Sequence, residues 1–218
     1  MTRHICTIRL KQLLPEVFAA RKDLDSDVWQ QDLTLERGKT YLIEAASGTG
    51  KSSLLSFLYG YRHDYTGQIL FDEDDTRTYS VGQWVDTRCR HLSILWQELR
   101  LFPELTALEN VLIKNNLTHH QTREQIDQWF ERLGIADKRE ALIGQMSFGQ
   151  QQRVALIRTL CQPADFIMAD EPISHLDDRN AAVMAELLQQ EATRQGAAII
   201  ATSIGKRLPL NYDHTLRL

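Results

Sequence analysis

The chain has 218 residues, 43% of them hydrophobic and 25% charged, with a formal net charge of −4. That suits one large domain with a real core, and the acidic balance argues against a dedicated nucleic-acid binder, which carries a basic face. Cys6, Cys89 and Cys161 are scattered without paired spacing, which excludes a disulfide framework and a zinc site. No run approaches the ~18 apolar residues of a membrane span, and no apolar stretch of signal-peptide length follows Thr2-Arg3-His4. The chain is therefore expected to be cytoplasmic, with any membrane-spanning left to another polypeptide.

Taken in chain order, apolar or alternating runs predict strands at residues 5–10, 31–35, 40–45, 68–71, 92–96, 165–169, 197–202 and 215–218. Helix-period segments follow several of them, at 51–59, 150–161 and 178–195. Strand-then-helix repetition predicts an α/β fold with a mainly parallel sheet. The early strands have no helix between them and are expected to form a small antiparallel β-subdomain. Gly38-Lys39 and the acidic run at 72–75 read as turns; the run has the residue types of a metal site, but a solvated hairpin end suits it better. No strand pattern occurs between about 102 and 146, where 106–114 and 122–133 have helical periodicity. One domain over residues 1–218 is expected, with a helical subdomain at about 98–160 inserted in its core.

The segment Ala45-Ala46-Ser47-Gly48-Thr49-Gly50-Lys51-Ser52 lies between a predicted strand and a predicted helix, the context of a P-loop. Ala46, Ser47, Gly48, Thr49 and Gly50 are small enough for the backbone to wrap a phosphate, with N–H groups and the helix dipole facing it. Lys51 is then expected at the β- and γ-phosphates and Ser52 on Mg²⁺, with Ser53 completing the first helical turn around the nucleotide. The strict pattern begins with Gly; Ala45 fits there if its φ is negative.

A second apolar strand ends in Asp170-Glu171. Two carboxylates at the end of a buried strand are costly unless something uses them. Beside a P-loop, Asp170 suits the Mg²⁺ shell and Glu171 suits polarising the attacking water.

The run Met146-Ser147-Phe148-Gly149-Gln150-Gln151-Gln152-Arg153-Val154-Ala155 resembles the signature motif of ABC ATPases. Gln97, after Ile94-Leu95-Trp96, matches the Q-loop glutamine, and Ser174-His175-Leu176-Asp177 matches the D-loop. The resemblance covers nearly the whole chain with its motifs in order, and implies a P-loop NTPase core. It implies that two such subunits, taken here as two copies, hold two ATP molecules head to tail. Ser147, Gly149 and Gln150 of one copy would then meet the γ-phosphate held by Lys51 of the other, while Asp177 crosses the interface. Gln97 would sense Mg²⁺ and the attacking water. The family stacks adenine on an aromatic near the end of the first strand; Phe18 suits that role, with Trp29 second and better suited to the core. The run from Leu99 to Val111 is similar to one in the lipoprotein-release, macrolide-export and cell-division branch, where it receives a helix of a membrane subunit. Leu101 and Phe102 are expected to be exposed there.

Three positions depart from the family pattern: Ala45, Phe148 in place of the first signature glycine, and Ser203 where a histidine normally meets the γ-phosphate. A serine is shorter and cannot become cationic. The expected function is the peripheral ATP-binding subunit of a transporter or envelope complex, with Ser203 slowing hydrolysis. Three alternatives stand beside it: a non-hydrolysing ATP-dependent clamp, a soluble ABC ATPase unconnected to transport, and a P-loop kinase. His175 standing in for the missing histidine is a bolder expectation.

Overall fold

The computed structural model describes residues 3–21, 24–46, 48–174 and 176–218. In chain order its elements are β1 (Thr7–Pro15), β2 (Asp32–Glu36), β3 (Thr40–Glu44), α1 (Lys51–Leu58), β4 (Tyr65–Phe71), β5 (Asp74–Asp75), α2 (Val81–Arg90) and β6 (Leu92–Leu95). Then follow α3 (Ala107–Asn115), α4 (Arg123–Arg132), α5 (Phe148–Leu160), β7 (Phe166–Ala169), α6 (Asp178–Gln195), β8 (Ala198–Ser203) and β9 (His214–Arg217).

Two sheets form. One is antiparallel in the order β2-β1-β4-β5; the other is parallel in the order β6-β7-β8-β3-β9. Period-2 alternation splits the parallel strands between two cores. Phe166, Met168, Ala198 and Ile200 face a core shared with the antiparallel sheet, α1 and Trp84 of α2. Ile167, Ala169, Ile199 and Ala201 face one made by α3 to α6. The helical subdomain is thus not a separate globule: Val111, Ile126 and Phe130 share one apolar cluster with α5, α6 and the sheet.

β1 does not run straight. Its pairing with β4 shifts register between Lys11 and Leu14, where Gln12 has φ 50° and Gly67 has φ 83°. A Cβ on Gly67 would lie 2.3 Å from the Gln12 carbonyl, so only glycine fits this bulge. Beyond it β1 ends in a short 3₁₀ turn, Glu16–Phe18. That turn carries Val17 and Phe18 toward the loop before α1.

The structure corrects the expectations in three places. The acidic run is partly a short edge strand, β5, rather than a turn throughout, and Asp72 Oδ1 accepts from the Cys6 and Thr7 amides at 2.9 Å each. Helix α2 was not expected. Only Trp84 and Thr87 are buried along it, too thin an apolar stripe to read as a period. Its signal was the Ser80–Gln83 capping box, in which each side chain bonds the other residue's amide, worth about 1 kcal/mol. Leu101, expected to be exposed, packs instead against the helical core.

Among the described residues no helix is long and apolar enough to cross a membrane. The helical insertion is tied to α6 through Glu191, which is 5% exposed and meets His120, Gln121, Arg194 and Gln195. Burial pushes this carboxyl up, but hydrogen bonds from His120, Arg194 and Gln195 outweigh burial and hold it at about 2, against the ordinary 4.5. A depressed carboxylate stabilises the fold above its unfolded pKa and loses that contribution as pH falls through the folded one. Glu191→Gln is therefore expected to cost on the order of 3 kcal/mol at neutral pH. It should also flatten the wild-type loss of stability between pH 4.5 and about 2. Urea midpoints measured across that window check both.

Candidate functional site

The parallel strands all point one way, so β3, β6, β7 and β8 deliver their C-terminal residues to one edge of the sheet, where such folds bind ligands. A cavity of about 490 Å³ opens there. Gly48, Gly50, Lys51, Ser52 and Ser53 line it from the loop and α1; Gln97, Glu171 and Ile204 line it from the ends of β6, β7 and β8. Val17, Phe18 and Arg21 close it from the turn after β1.

The loop has the backbone expected of it. Gly48 has φ 78° and Gly50, the N-cap of α1, has φ 100°, both costly for a residue with a Cβ. A Cβ on Gly48 would meet nothing within 4 Å, whereas one on Gly50 would come within 3.0 Å of the Phe18 and Trp29 rings. Ala45 keeps a negative φ, the condition for replacing glycine, and its amide donates to the Ser203 carbonyl at 3.2 Å. The Ala46 carbonyl accepts from the Thr49 hydroxyl at 2.9 Å and from Lys51 Nζ at 3.1 Å. Ser52 is exposed at the start of α1. The Ser53 hydroxyl accepts from Arg62 at 2.9 Å. Ser47 lies outside the described residues.

Lys51, Glu171 and Gln97 come together. Lys51 is 5% exposed, and its Nζ is 3.6 Å from Glu171 Oε1. Gln97 Nε2 is 3.5 Å from Glu171 Oε2, a long hydrogen bond that links β6 to β7. Glu171 has φ 46°, a left-handed conformation uncommon for a residue with a side chain and found at functional turns. Asp170 is 2% exposed. Thr202, which no motif had singled out, holds both acidic residues. Its hydroxyl donates to Asp170 Oδ1 at 2.7 Å and accepts from the Glu171 amide at 3.1 Å.

Ser203 does not join them. It is 2% exposed, and its hydroxyl donates to the Lys206 carbonyl at 2.8 Å. The cavity wall at this strand end is the half-exposed, apolar Ile204.

Phe18 lines the cavity but is only 5% exposed, with Arg21 over its ring at 4.3 Å and Trp29 against its edge. Trp29 is buried beneath the loop, where its indole N–H donates to the Thr49 carbonyl at 3.0 Å. Val17 and Arg21 are additions from the structure; no sequence pattern marks them.

Ser147, Gly149 and Gln150 stand at the N-terminus of α5, and none of them lines this chain's own cavity. Ser147 and Gln150 form a capping box, at 2.9 and 3.3 Å, in which each side-chain oxygen accepts from the other residue's amide. Asp177 likewise caps α6, accepting from the Asn180 amide at 2.8 Å. His175 lies outside the described residues.

The donor set available to a cation is the Ser52 hydroxyl, the Gln97 amide oxygen and Asp170. These are hard oxygens, few in number, which fits Mg²⁺ held mainly through phosphate and water.

A second concavity, about 320 Å³, follows Gln97. Trp96 stacks on Tyr61 at 5.4 Å, and Arg100 lies over Trp96 at 3.8 Å. Leu99 and Arg100 have φ of 60° and 50°, and Arg158 donates to both of their carbonyls. Phe102 is half exposed, its backbone clamped by buried Asn110. Arg100, Lys114 and Arg158 line the groove and no carboxylate does. Burial pushes the Lys114 ammonium and the Arg158 guanidinium below their ordinary ranges.

Comparison with known proteins is consistent with this geometry. A family model described as ABC transporter matches residues 29–174. An uncharacterized ABC transporter ATP-binding protein of Mycobacterium tuberculosis is 31% identical over 82% of this chain and 55% of its own length. The macrolide export ATP-binding/permease protein MacB 2 of Aeromonas hydrophila is 33% identical over 86% of this chain and 29% of its own length. The chain thus spans 55% or less of these relatives. The lipoprotein-releasing system ATP-binding protein LolD of Shewanella oneidensis is 29% identical over 96% of this chain and 95% of its own length. Among solved structures, a dimeric bacterial ABC transporter cassette superposes with a TM-score of 0.77 at 23% identity, covering 90% of this chain and 87% of that one.

Proposed function

The chain belongs to the ABC transporter family, and on that premise we propose that it is an ATP-binding subunit that closes on a second copy and drives a separate membrane subunit. The observation that carries this reading is the convergence of Lys51, Gln97 and Glu171 on one cavity beside an open-backed glycine loop.

In this reading the triphosphate lies along the loop, its charge met by the amides and dipole of α1. Lys51 exchanges the Ala46 carbonyl and Glu171 for the β- and γ-phosphates. Ser52, Asp170 and Gln97 would hold a Mg²⁺ ion, which would supply charge neutralisation to the triphosphate. Glu171 polarises a water that attacks the γ-phosphorus; the bond to the β–γ bridging oxygen breaks, ADP leaves, and the water's proton passes to the carboxylate. Thr202 fixes Asp170 and the backbone of Glu171 relative to each other.

The signature segment reaches the surface and lines no part of its own chain's cavity, which supports a head-to-tail pair in which a second copy supplies it. In the α5 cap the Ser147 Oγ accepts from the Gln150 amide, so its O–H remains a donor and, with the Gly149 amide, supplies the segment's contacts with phosphate.

Hydrolysis is slow in this reading. The Ser203 hydroxyl is turned to Lys206, and Ile204 offers no donor to the transferring phosphoryl group. A missing donor of this kind costs on the order of 10²–10³ in rate. The same geometry favours a second reading, a clamp that binds ATP without turning it over.

The groove after Gln97 is the membrane subunit's seat. Its stacked aromatics, its half-exposed Phe102 and its three cations suit an amphipathic helix bearing a carboxylate.

Ser203→His is expected to raise steady-state turnover about tenfold or more, judged against the cost of a missing donor. Fast wild-type turnover unchanged by the histidine contradicts the slow-hydrolysis account, and absence of single-turnover hydrolysis selects the clamp. Lys114→Glu is expected to reduce co-purification with the membrane subunit about tenfold, as for one partner of a desolvated charge pair, with Mg·ATP affinity unchanged. Undiminished association would remove the groove from the interface.

A further inference from the structure

We propose that the nucleobase stacks on the guanidinium of Arg21, which lies over the Phe18 ring and lines the cavity, and not on Phe18 itself. This rests on the reading of the cavity as an ATP site.

Phe18 has no face to offer. It is 5% exposed, and its ring supports the loop: a Cβ on Gly50 would lie 3.0 Å from both Phe18 and Trp29. Trp29 meets it at 6.4 Å with planes 67° apart, an edge contact. Arg21 covers the ring, its guanidinium carbon 4.3 Å from the centroid. A base can reach Phe18 only by displacing Arg21 or by lifting the ring from beneath the loop.

Arg21 has what Phe18 lacks. It is exposed and lines the same cavity as Gly48, Gly50 and Ser53. Among the described residues its side chain makes no hydrogen bond or ion pair; its one partner is the Phe18 ring. The backbone fixes the pair, since the Arg21 amide donates to the Phe18 carbonyl at 2.9 Å. A guanidinium is planar and delocalised and stacks on aromatic faces. Seated over Phe18, the exposed guanidinium offers a base a planar group to stack on.

The position suits the base end of a nucleotide. Lys51, Gln97 and Glu171 mark the end where the reacting phosphate sits. Arg21 comes from a different element, the turn after β1, together with Val17, which is 71% exposed and adds an apolar surface beside it.

The test measures the dissociation constants of Mg·ATP and Mg·tripolyphosphate for the full chain and its variants. Arg21→Ala is expected to weaken ATP about tenfold, in line with the loss of one stacked base, and to leave tripolyphosphate unchanged. Arg21→Lys keeps the charge without the plane and is expected to lose as much ATP affinity as the alanine. Equal losses for both probes, with rescue by lysine, would make Arg21 a phosphate cation and overturn the proposal. Undiminished ATP affinity in Arg21→Ala overturns it as well. If instead Lys51→Ala leaves both probes bound as in wild type, the ATP-site reading itself has failed, and this inference with it.

Discussion

In the parallel register, Glu44 stands beside Ser203, Ala169 beside Ala201, and Leu95 beside Ala169. The strands therefore end level with one another, and the residues just beyond them share one edge. That register brings the loop after β3, Gln97 after β6, Glu171 after β7 and Ile204 after β8 to a single cavity, with buried Asp170 and Thr202 joined to each other beside Glu171. It is enforced from both sides, because the central strands β7 and β8 present alternate residues to two different apolar cores. A slip of one residue would turn the buried set of a strand to the wrong core and would separate Thr202 from Asp170.

Within that frame the end of β8 decides how the cavity can act. Thr202 and Ser203 are neighbours with opposite allegiances. Thr202 points to the acidic pair and fixes it. Ser203, on the other face of the strand, satisfies the Lys206 carbonyl. The chain thus has the groups for holding a triphosphate and for polarising a water, while its β8 end contributes an apolar Ile204 to the wall. In the proposed reading that combination gives tight binding with slow turnover, and a long-lived pair of subunits bridged by nucleotide.

Much of this was legible in the sequence because the informative residues sit at strand ends with strong local grammar. The run from Ala45 to Ser52 and the pair Asp170-Glu171 each follow an apolar strand, so motif and element support each other. All eight expected strands form, with ends that differ by a few residues. What escaped had weak local signals. Helix α2 buries only Trp84 and Thr87 at its core-facing side, so its apolar stripe is too thin to read without its cap. Type and place in the chain suggest Phe18 as a stacking face; its burial under Arg21 depends on how the bulged β1 delivers the turn. Val17, Arg21 and Thr202 belong to no motif, and only the packing of distant segments gives them a place. Leu101 and Phe102 are adjacent and equally apolar in sequence, yet the strained backbone at Leu99 and Arg100 and the clamp by Asn110 send one inward and leave the other half exposed.

The central claim is that the cavity is half of a shared site, completed by the signature end of α5 from a second copy. Sedimentation of the full chain carrying Glu171→Gln, which removes the carboxylate proposed to polarise water, tests it most directly. The account predicts a single-copy species without nucleotide and a two-copy species with saturating Mg·ATP. A single-copy species at ATP concentrations that fill the loop would contradict it.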